Sequence, residues 1–497
     1  MIKNYKLSGF YGFYGTAIGQ KTDTPCIALA MLRIRFAFFK DMMMWHIQFD
    51  TGTLIVHVPG QDMHNAISAL PQFVWDERIQ AFRGSALLYR KLITQLTRLK
   101  IPFKDDARNY DNLELKFQFE RVPFYYQAEA LEAWEKQGGC GVVVLPTGAG
   151  KSYVAQLAMA KKQRPTLVVT PTLDLVAQWH LNLERAFGIE CGIIGGGTYD
   201  LKPVTVTTYD SAYIHMEKIG HRFGMLVFDE VHHLPTQTYS LGAQHAIAPF
   251  RLGLTATPER EAPLTYDQLL GPIVYEQSIR ALAGENLATY ETIQYEVELT
   301  ADERSQYDEY RACYLDFVRQ NGIRMGTQNG WTDFLRLSSR SAQGRAALHA
   351  HRAQRAITQH CHAKMKLLID LLAQHRNDRT IIFTADNATV YRISRELLVP
   401  AITHQSPVKE RRAILEAFNK GQYPVVVTSR VLNEGVDIPA ANVAIVLSGS
   451  GSVREHVQRL GRILRAAQNK TAVLYEIVAQ NTSEAFTSEK RRKHDAF

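Results

Sequence analysis

A short glycine-rich segment joins the apolar run Val142–Leu145 to residues with helical character. Glycines let the backbone wrap closely around an anion, and consecutive amide groups at a helix N-terminus favour negative charge. In such a loop Lys151 would reach the β- and γ-phosphates of a nucleotide, and the Ser152 hydroxyl would hold Mg²⁺. The predicted phosphate-binding residues are Pro146, Thr147, Gly148, Ala149, Gly150, Lys151 and Ser152.

Two adjacent carboxylates, Asp229 and Glu230, follow a second apolar run, Met225–Phe228. A carboxylate at the carboxyl end of a strand in a parallel sheet faces a phosphate loop at the same edge. Asp229 would then bind Mg²⁺ through water, and Glu230 would orient or deprotonate the attacking water. The two motifs together predict ATP and Mg²⁺ as cofactors. The predicted catalytic residues are Lys151, Asp229 and Glu230, and the predicted metal-holding residues are Ser152 and Asp229.

These motifs need a scaffold that places them at one sheet edge. Short β-branched runs alternate with helical segments along this chain, a pattern that predicts parallel sheets covered by helices on both faces. One such series fills residues 113–295, and a second fills residues 360–490. The predicted strands are Gly141–Leu145, Thr166–Val169, Val204–Val206, Gly224–Phe228 and Arg251–Leu254 in the first unit, and Thr380–Phe383, Pro424–Val427, Val443–Leu447 and Ala472–Ile477 in the second.

Smaller segments flank the two α/β units. The run Trp45–Val58 predicts a β-hairpin that turns at Asp50–Gly52, and leucines at helical spacing follow it, so residues 45–112 are expected to form a small α+β domain. Residues 303–358 predict a basic helical insertion, because seven arginines stand against one aspartate within residues 317–355. Residues 1–44 are an uncertain extension: either the true start is one of the methionines Met42–Met44, or this stretch is dispensable.

The composition bounds the class of protein. A chain of 497 residues with 46% hydrophobic and 21% charged residues is globular and has several domains. The 57 Lys and Arg residues outnumber the 49 Asp and Glu residues, which fits a polyanionic partner without requiring one. The five cysteines lack paired spacing, which argues against an iron–sulfur cluster, and no apolar run is long enough to span a membrane. We therefore expect a cytoplasmic protein.

Four segments, in order along the chain, resemble motifs I, II, III and VI of superfamily 2 helicases. They are Leu145–Ser152, Asp229–His232, Leu254–Thr257 and Gln458–Arg465, and the resemblance covers residues 118–480. The resemblance implies two RecA-like domains around a nucleotide cleft. It further implies that Gln127 reads the adenine base, and that Asp437, in a segment similar to motif V, meets the ribose or an arginine finger.

Arg462 and Arg465 lie three residues apart, so they share one face of a helix. The resemblance to motif VI implies that both are arginine fingers, whose charge stabilises the transition state at the γ-phosphate when the two domains close. The alternative interpretation, two solvated arginines on a helix surface, fits Arg459 better than it fits this pair.

The XPB-like branch, a family of helicases of DNA repair and transcription, is the branch that the chain resembles. Motif VI has the form of that branch, residues 45–112 are similar to its damage-recognition domain, and the basic insertion resembles its thumb. The expected fold is α/β, with two RecA-like parallel-sheet domains, a small α+β N-terminal domain and a helical thumb insertion. The family's Arg-Glu-Asp element is Arg260-Glu261-Ala262 here, so either Arg260 and Glu261 suffice or the protein mainly translocates on duplex DNA.

Nucleic-acid contacts are expected at strand ends of both domains, where hydroxyl groups could grip phosphates without reading sequence. Helix capping is the alternative role for each of these hydroxyls. The thumb arginines would clamp the phosphate backbone, and the aromatic residues Phe317, Trp331 and Phe334 could stack on exposed bases. The predicted contacts are Thr170, Thr172, Thr208, Arg260, Glu261, Thr428, Arg336 and Arg340.

The resemblance implies a DNA-stimulated ATPase that acts on single-stranded or forked DNA with 3′-to-5′ polarity, in DNA repair or related DNA processing. Two alternatives stay open: a duplex translocase or ATP-gated DNA clamp without strand separation, and an RNA helicase. No compact nuclease constellation is present in the sequence, so a nuclease would have to be a partner. A DNA substrate also implies a nucleoid-associated location.

The arginine fingers give the first testable prediction. Replacing the Arg462 guanidinium (Arg462→Ala) should lower ATP turnover by about 10³-fold or more, because a finger of this kind contributes on that order, and should leave ATP binding intact. Arg459→Ala is the control and should keep normal turnover. Full turnover in the Arg462→Ala protein, measured beside nucleotide binding, would show that the finger assignment is wrong.

Overall fold

The computed structural model describes residues 44–63, 70–119, 121–259, 264–282, 289–327, 329–429, 441–448 and 471–485. Within them lie a small sheet domain, two larger parallel sheets and a helical insertion, and the expected α/β class is confirmed. The predicted extension of residues 1–44 lies outside this description except for its last residue. No helix among the described residues combines the length and the apolar character needed to cross a bilayer.

The small domain begins with a hairpin. Its strands are β1 (Trp45–Asp50), β2 (Thr53–His57), β3 (Val74–Asp76), β4 (Ala81–Ser85) and β5 (Phe103–Asp105), and helix α1 (Tyr89–Arg98) packs on them. The sheet order is β3-β4-β2-β1-β5. The predicted turn between β1 and β2 is confirmed, and its residues Thr51 and Gly52 have φ angles of 46° and 76°. Two successive positive φ values match the twist of a tight hairpin, and glycine adopts them without strain.

The first parallel sheet carries the phosphate loop and the acidic pair. Its strands are β6 (Cys140–Val144), β7 (Thr166–Thr170), β8 (Gly192–Gly195), β9 (Thr198–Tyr199), β10 (Val204–Thr208), β11 (Met225–Asp229), β12 (Phe250–Thr255) and β13 (Ile273–Glu276). The strand order is β13-β6-β12-β11-β7-β10-β8-β9, and only the β8–β9 pair is antiparallel among these described strands. The sequence-predicted strands of this unit are therefore confirmed.

Helices cover both faces of this sheet. They are α2 (Tyr125–Lys136), α3 (Lys151–Lys162), α4 (Leu173–Phe187), α5 (Tyr209–Ile219) and the short helices α6 (Leu241–Gln244), α7 (Tyr266–Leu269) and α8 (Ile279–Leu282). Alternate strand residues feed two separate cores: Val143 lies in one hydrophobic cluster, whereas Val142 and Val144 lie in the other. A strand that buries both faces must be apolar throughout, which is why the sequence shows continuous apolar runs here.

The small domain is docked against the base of the first sheet. Ser85 Oγ donates a hydrogen bond to the Gln244 carbonyl at 3.1 Å, and Arg90 Nη1 donates to the Pro249 carbonyl at 3.1 Å. The side chain of Ile247, from the loop before β12, is buried in the core of the small domain. These contacts lie at the opposite end of the strands from the phosphate loop.

The basic insertion is a helical hairpin with a third helix at its tip. Helices α9 (Ala301–Gln320) and α11 (Ala342–His360) pack on each other, and the short α10 (Gly330–Ser338) lies between them in sequence. Phe317 is buried in the hairpin, and Tyr314 meets His351 across it with ring centroids 4.9 Å apart, whereas Tyr307 is buried beside Leu299, Cys361 and Ala479. The aromatic residues Tyr310, Tyr314 and Phe317 of α9 thus pack on neighbouring helices of the insertion.

The second parallel sheet has the order β14-β19-β18-β15-β17-β16. Its strands are β14 (Thr289–Val297), β15 (Thr380–Phe383), β16 (Ala401–Ile402), β17 (Val425–Thr428), β18 (Val443–Val446) and β19 (Thr471–Ala479), covered by α12 (His362–Gln374), α13 (Asn387–Leu397) and α14 (Val408–Asn419). The predicted strands of this unit are present. Strand β14 pairs with β19 from Thr289 to Val297, so the expected boundary of the first unit at residue 295 is wrong by a full strand.

A buried ion pair ties the end of the second sheet to α12. Lys364 Nζ donates to Glu484 Oε2 at 2.7 Å and to the Leu447 carbonyl at 2.5 Å. The Lys364 side chain is fully buried, and Glu484 also accepts a hydrogen bond from the Ala479 amide at 3.1 Å. A buried charge is tolerated only when it is paired and hydrogen-bonded, so each partner depends on the other.

This pair predicts a stability effect. Lys364→Met leaves the Glu484 carboxylate buried without its cation, so the free energy of unfolding should fall by about 3–5 kcal/mol. Lys366→Met, on the exposed face of the same helix, is the matched control and should change it by less than about 0.5 kcal/mol. Urea denaturation followed by circular dichroism measures both, and equal midpoints for the two variants would contradict the prediction.

Candidate nucleotide-binding and nucleic-acid sites

The phosphate loop connects β6 to α3. Gly148 and Gly150 have φ angles of 90° and 76°, in the left-handed region that favours glycine. Gly150 is the N-cap of α3, and no side chain caps this helix end. The first amide groups of α3 are therefore left without a side-chain acceptor, which is the arrangement that suits an anion at a helix N-terminus.

Gln127 holds this loop from behind. Its Nε2 donates to the Ala149 carbonyl at 2.9 Å, and its Oε1 accepts from the Phe124 amide at 3.0 Å. The side chain is 1% exposed, and a Cβ atom on Gly150 would stand 2.5 Å from its Nε2. Gln127 thus couples the start of α2 to the phosphate loop, and its reading of adenine stays a prediction.

Asp229 ends strand β11 in a buried position. Its Oδ2 accepts a hydrogen bond from Trp179 Nε1 at 2.7 Å, and its Oδ1 accepts one from the Glu230 amide at 3.0 Å. Burial raises the pKa of the Asp229 carboxyl, while the Trp179 hydrogen bond and the nearby Lys151 charge oppose that rise. A further positive charge beside Asp229 would stabilise the ionised form of this buried carboxyl.

Glu230 adopts a left-handed backbone conformation, with φ 47° and ψ 54°. Non-glycine residues rarely occupy this region, and such strain is typical of functional sites. The Tyr209 hydroxyl secures the turn, because it lies 3.0 Å from the Asp229 carbonyl and 3.4 Å from the Glu230 carbonyl. The left-handed conformation of Glu230, supported by the Tyr209 hydroxyl, ends the extended backbone of β11 at this residue.

His232 connects the acidic pair to the neighbouring strand. Its Nδ1 lies 3.5 Å from Glu230 Oε2 and 3.2 Å from Thr255 Oγ1, at the end of β12. Thr255 Oγ1 in turn donates to the Thr257 carbonyl at 3.1 Å. This chain of contacts joins the segments that resemble motifs II and III.

The residues present fit a magnesium-bound nucleotide. Thr147 Oγ1 in the loop and Glu230 Oε2 after β11 are buried without a hydrogen-bond partner among the described residues, although buried polar atoms normally have one. No cluster of three His, Cys, Asp or Glu side chains within the described ranges could hold a metal ion. Mg²⁺ bound with a nucleotide does not need such a cluster, because it takes one or two protein ligands and completes its shell with phosphate oxygens and water.

The hydroxyl groups of the four threonines predicted to contact nucleic acid all have partners within the protein. The hydroxyl of Thr428 is buried and donates to the Ile402 carbonyl at 3.0 Å, and the buried Thr170 hydroxyl lies 3.3 Å from the Thr172 carbonyl. Thr172 and Thr208 cap helices α4 and α5, since their Oγ1 atoms accept from Leu175 N and Ser211 N. The alternative role of helix capping is therefore observed for Thr172 and Thr208. The N-termini of α4 and α5 lie at this sheet edge and could contact phosphates in place of the hydroxyls.

The remaining predicted residues are on the thumb or outside the described ranges. Arg336 Nη2 bonds Asp333 Oδ1 at 3.0 Å, and Arg340 is exposed. Arg260, Glu261, Asp437, Arg462 and Arg465 lie outside the residues that the structure describes. Sequence reasoning missed Trp179 and Tyr209, because their partners lie 50 and 20 residues away and only the sheet order brings them together.

The two larger domains meet beside this edge. The Arg411 guanidinium, on α14 of the second domain, contacts the Asp174 carboxylate in the first turn of α4, and both side chains are largely buried. Arg411 Nη2 also donates to the Ser406 carbonyl at 3.2 Å. The contact places the second domain against the helix that carries Trp179.

Comparison with known families identifies three segments. Residues 47–107 match the damage recognition domain of the xeroderma pigmentosum group B helicase, residues 120–260 match the res subunit of type III restriction enzymes, and residues 363–467 match the conserved helicase C-terminal domain. In the solved helicase domain of Pyrococcus furiosus Hef, which shares 18% identity, the fold is similar with a TM-score of 0.51 over 74% of this chain and 98% of that one.

Two curated proteins are similar over most of the chain. A protein of Sulfurisphaera tokodaii named DNA 3′-5′ translocase XPB2 is 39% identical over 85% of this chain and 96% of its own length. A protein of Mycobacterium tuberculosis named DNA 3′-5′ helicase XPB is 30% identical over 70% of this chain, which spans 59% of the length of that relative.

Trp179 yields a prediction about the acidic pair. Trp179→Phe keeps an aromatic ring but removes the donor to Asp229, so turnover should fall by about tenfold and half-saturation should need more Mg²⁺. The matched control is Trp134→Phe, because the buried Trp134 Nε1 donates to the Arg251 carbonyl at 2.9 Å, away from the acidic pair. ATPase assays across Mg²⁺ concentration compare them, and an equal response of both variants would exclude a positioning role for Trp179.

Proposed function

The chain belongs to the XPB family of superfamily 2 DNA helicases, and from this premise we propose that it is an ATP-driven motor that moves along DNA with 3′-to-5′ polarity. The observation that supports the proposal is that the buried Asp229 and the strained Glu230 follow β11 at the sheet edge where the phosphate loop follows β6, in the first of two parallel-sheet domains. The similarity to the Sulfurisphaera protein, which spans nearly all of that relative, supports the polarity. DNA repair or related DNA processing is the proposed setting.

The site residues have distinct roles in the proposed reaction. Bound Mg²⁺–ATP supplies the bond whose hydrolysis drives the motor. Lys151 and the loop amides would hold the phosphates, Ser152 and Asp229 would hold the metal ion, and Glu230 would orient the attacking water and accept its proton. Arg462 and Arg465 would stabilise the charge that develops at the γ-phosphate, Gln127 would contact the base, and Asp437 would meet the ribose or an arginine finger.

Nucleic acid is proposed to lie across the carboxyl edges of both sheets. The N-termini of α4 and α5, capped by Thr172 and Thr208, offer partial positive charge to phosphates. Thr170 and Thr428 would act through their backbone, since their hydroxyls are bonded internally. The further proposed contacts are Arg260, Glu261, Arg336 and Arg340.

Translocation on duplex DNA without strand separation is the second candidate function. The departure of this chain from the family's Arg-Glu-Asp element at Ala262 favours it, and the archaeal relative is named a translocase. An RNA motor is not proposed, because both curated relatives are named for action on DNA. A nuclease partner and nucleoid association remain part of the proposal, on the sequence argument alone.

Two assays separate these functions. ATP hydrolysis measured with single-stranded, forked and blunt duplex DNA, across salt concentration, tests the motor, since phosphate contacts make binding weaken with salt. Strand displacement on the forked substrate then separates a helicase from a duplex translocase. Hydrolysis that no DNA stimulates would refute the motor, and stimulation without displacement would establish the second candidate.

Glu230 provides the sharpest variant. Glu230→Gln keeps the size of the side chain but removes the base, so turnover should fall by about 10²–10⁴-fold while ATP and DNA binding persist. Glu190→Gln, at a side chain that is 85% exposed beside Lys202, should leave turnover unchanged. Rates and binding are measured on the same preparations. Near-normal turnover in the Glu230→Gln protein would show that Glu230 is not the catalytic base.

A further inference from the structure

The thumb tip exposes one large aromatic side chain. Residues 317–355, the arginine-rich segment, contain Phe317, Trp331 and Phe334. Phe334 is fully buried and Phe317 is 7% exposed, whereas Trp331 is 43% exposed. The Trp331 ring stacks on Phe334 with centroids 5.3 Å apart and an interplanar angle of 29°. It also packs on His351 at 5.0 Å. A rigid support below therefore holds an indole whose remaining surface faces solvent.

The support is apolar and uncharged. Phe334 belongs to the hydrophobic cluster of the tip with Phe317 and Ala347. Burial, together with Arg355 and Arg352, lowers the pKa of His351 to about 4, so its imidazole is neutral at physiological pH. Leu335 lies one helical turn after Trp331 and is 38% exposed, which extends the apolar surface along α10.

Exposed arginines lie on the same helical insertion, and Arg352 and Arg355 are near His351, which packs on Trp331. Arg336 and Arg319 have carboxylate partners in Asp333 and Asp316. The other five arginines of the segment are exposed and have neither a hydrogen-bond nor an ion-pair partner for their guanidinium groups within the described part of the chain. They are Arg324, Arg340, Arg345, Arg352 and Arg355. A polyanion is the partner that such a surface fits.

We propose that Trp331 is a base-stacking residue for single-stranded DNA, with the exposed arginines of the same insertion on the phosphates. Exposed aromatic rings beside cationic side chains form the platforms on which unpaired bases stack irrespective of sequence. A duplex hides its base faces, so the site selects a separated strand over a closed one. The inference rests on the proposed function, and it adds the strand state and the residue that recognises it.

Trp331 also reports on its own occupancy. The chain has five tryptophans; Trp45, Trp134 and Trp179 are at most 2% exposed, and Trp75 is partly exposed in the small domain. Stacking of a base on the indole quenches its fluorescence. Titrating the unaltered protein with oligothymidine should therefore quench the tryptophan emission, and titration with blunt duplex should leave it unchanged.

Three variants assign the signal. Trp331→Phe keeps a ring that can stack but removes the fluorophore, so the quench should vanish while affinity for oligothymidine stays nearly normal. Trp75→Phe should retain the quench. Trp331→Ala should weaken binding of oligothymidine by about tenfold, the loss expected for one stacked base, and should leave affinity for blunt duplex unchanged. Thermal melting of each variant checks the fold.

The outcomes separate this inference from the proposed motor. Anisotropy of labelled DNA and DNA-stimulated ATP hydrolysis are measured on the same proteins. Bound oligothymidine without a quench in the unaltered protein, or a quench that survives in Trp331→Phe, would overturn the stacking role while leaving the motor standing. Failure of the unaltered protein to bind any DNA would instead refute the proposed function itself.

Discussion

The buried carboxylate of Asp229 is the constraint on which the first domain depends. A charge removed from water at the end of β11 is costly unless hydrogen-bond donors and an opposite charge surround it. The sheet order supplies them, because β12 alone separates β11 from β6, whose loop carries Lys151, and β7 on the other side leads into the helix that carries Trp179. The parallel sheet is therefore required for the acidic pair as much as for the core.

Two helices that reach the acidic pair also present their N-termini at the edge proposed for nucleic acid. Helix α4 begins at the Thr172 cap and sends Trp179 to Asp229, while α5 begins at the Thr208 cap and its first residue, Tyr209, holds the backbone of Asp229 and Glu230. A shift of either helix N-terminus would therefore change the surroundings of the acidic pair directly. The proposed nucleotide and nucleic-acid sites are therefore connected by two side chains, Trp179 and Tyr209, each on a helix that begins at the sheet edge.

The sequence predicted what depends on local patterns and missed what depends on topology. Buried strands such as β7 and β11 are continuous apolar runs, and the glycines of the phosphate loop are required by backbone angles, so both were readable. Strand β14 was not predicted, and the first unit was extended over most of it to residue 295, because Thr289–Val297 mixes polar and apolar residues and lies at a sheet edge, where one polar face is tolerated. No sequence pattern marked Trp179 as a partner of Asp229, since the two residues come together only because β7 and β11 are neighbours in the sheet.

The contact between the domains adds a further charge to the same helix. Asp174 lies in the first turn of α4, where a carboxylate stabilises the helix dipole but would repel a phosphate at the Thr172 cap. Arg411 of the second domain is in contact with that carboxylate and neutralises it in a largely buried setting. With the pair formed, the N-terminus of α4 keeps its partial positive charge and loses the opposing negative one. In the proposed function, the contact with the second domain would therefore remove a charge that repels a nucleic-acid phosphate, on the same helix whose Trp179 bonds Asp229.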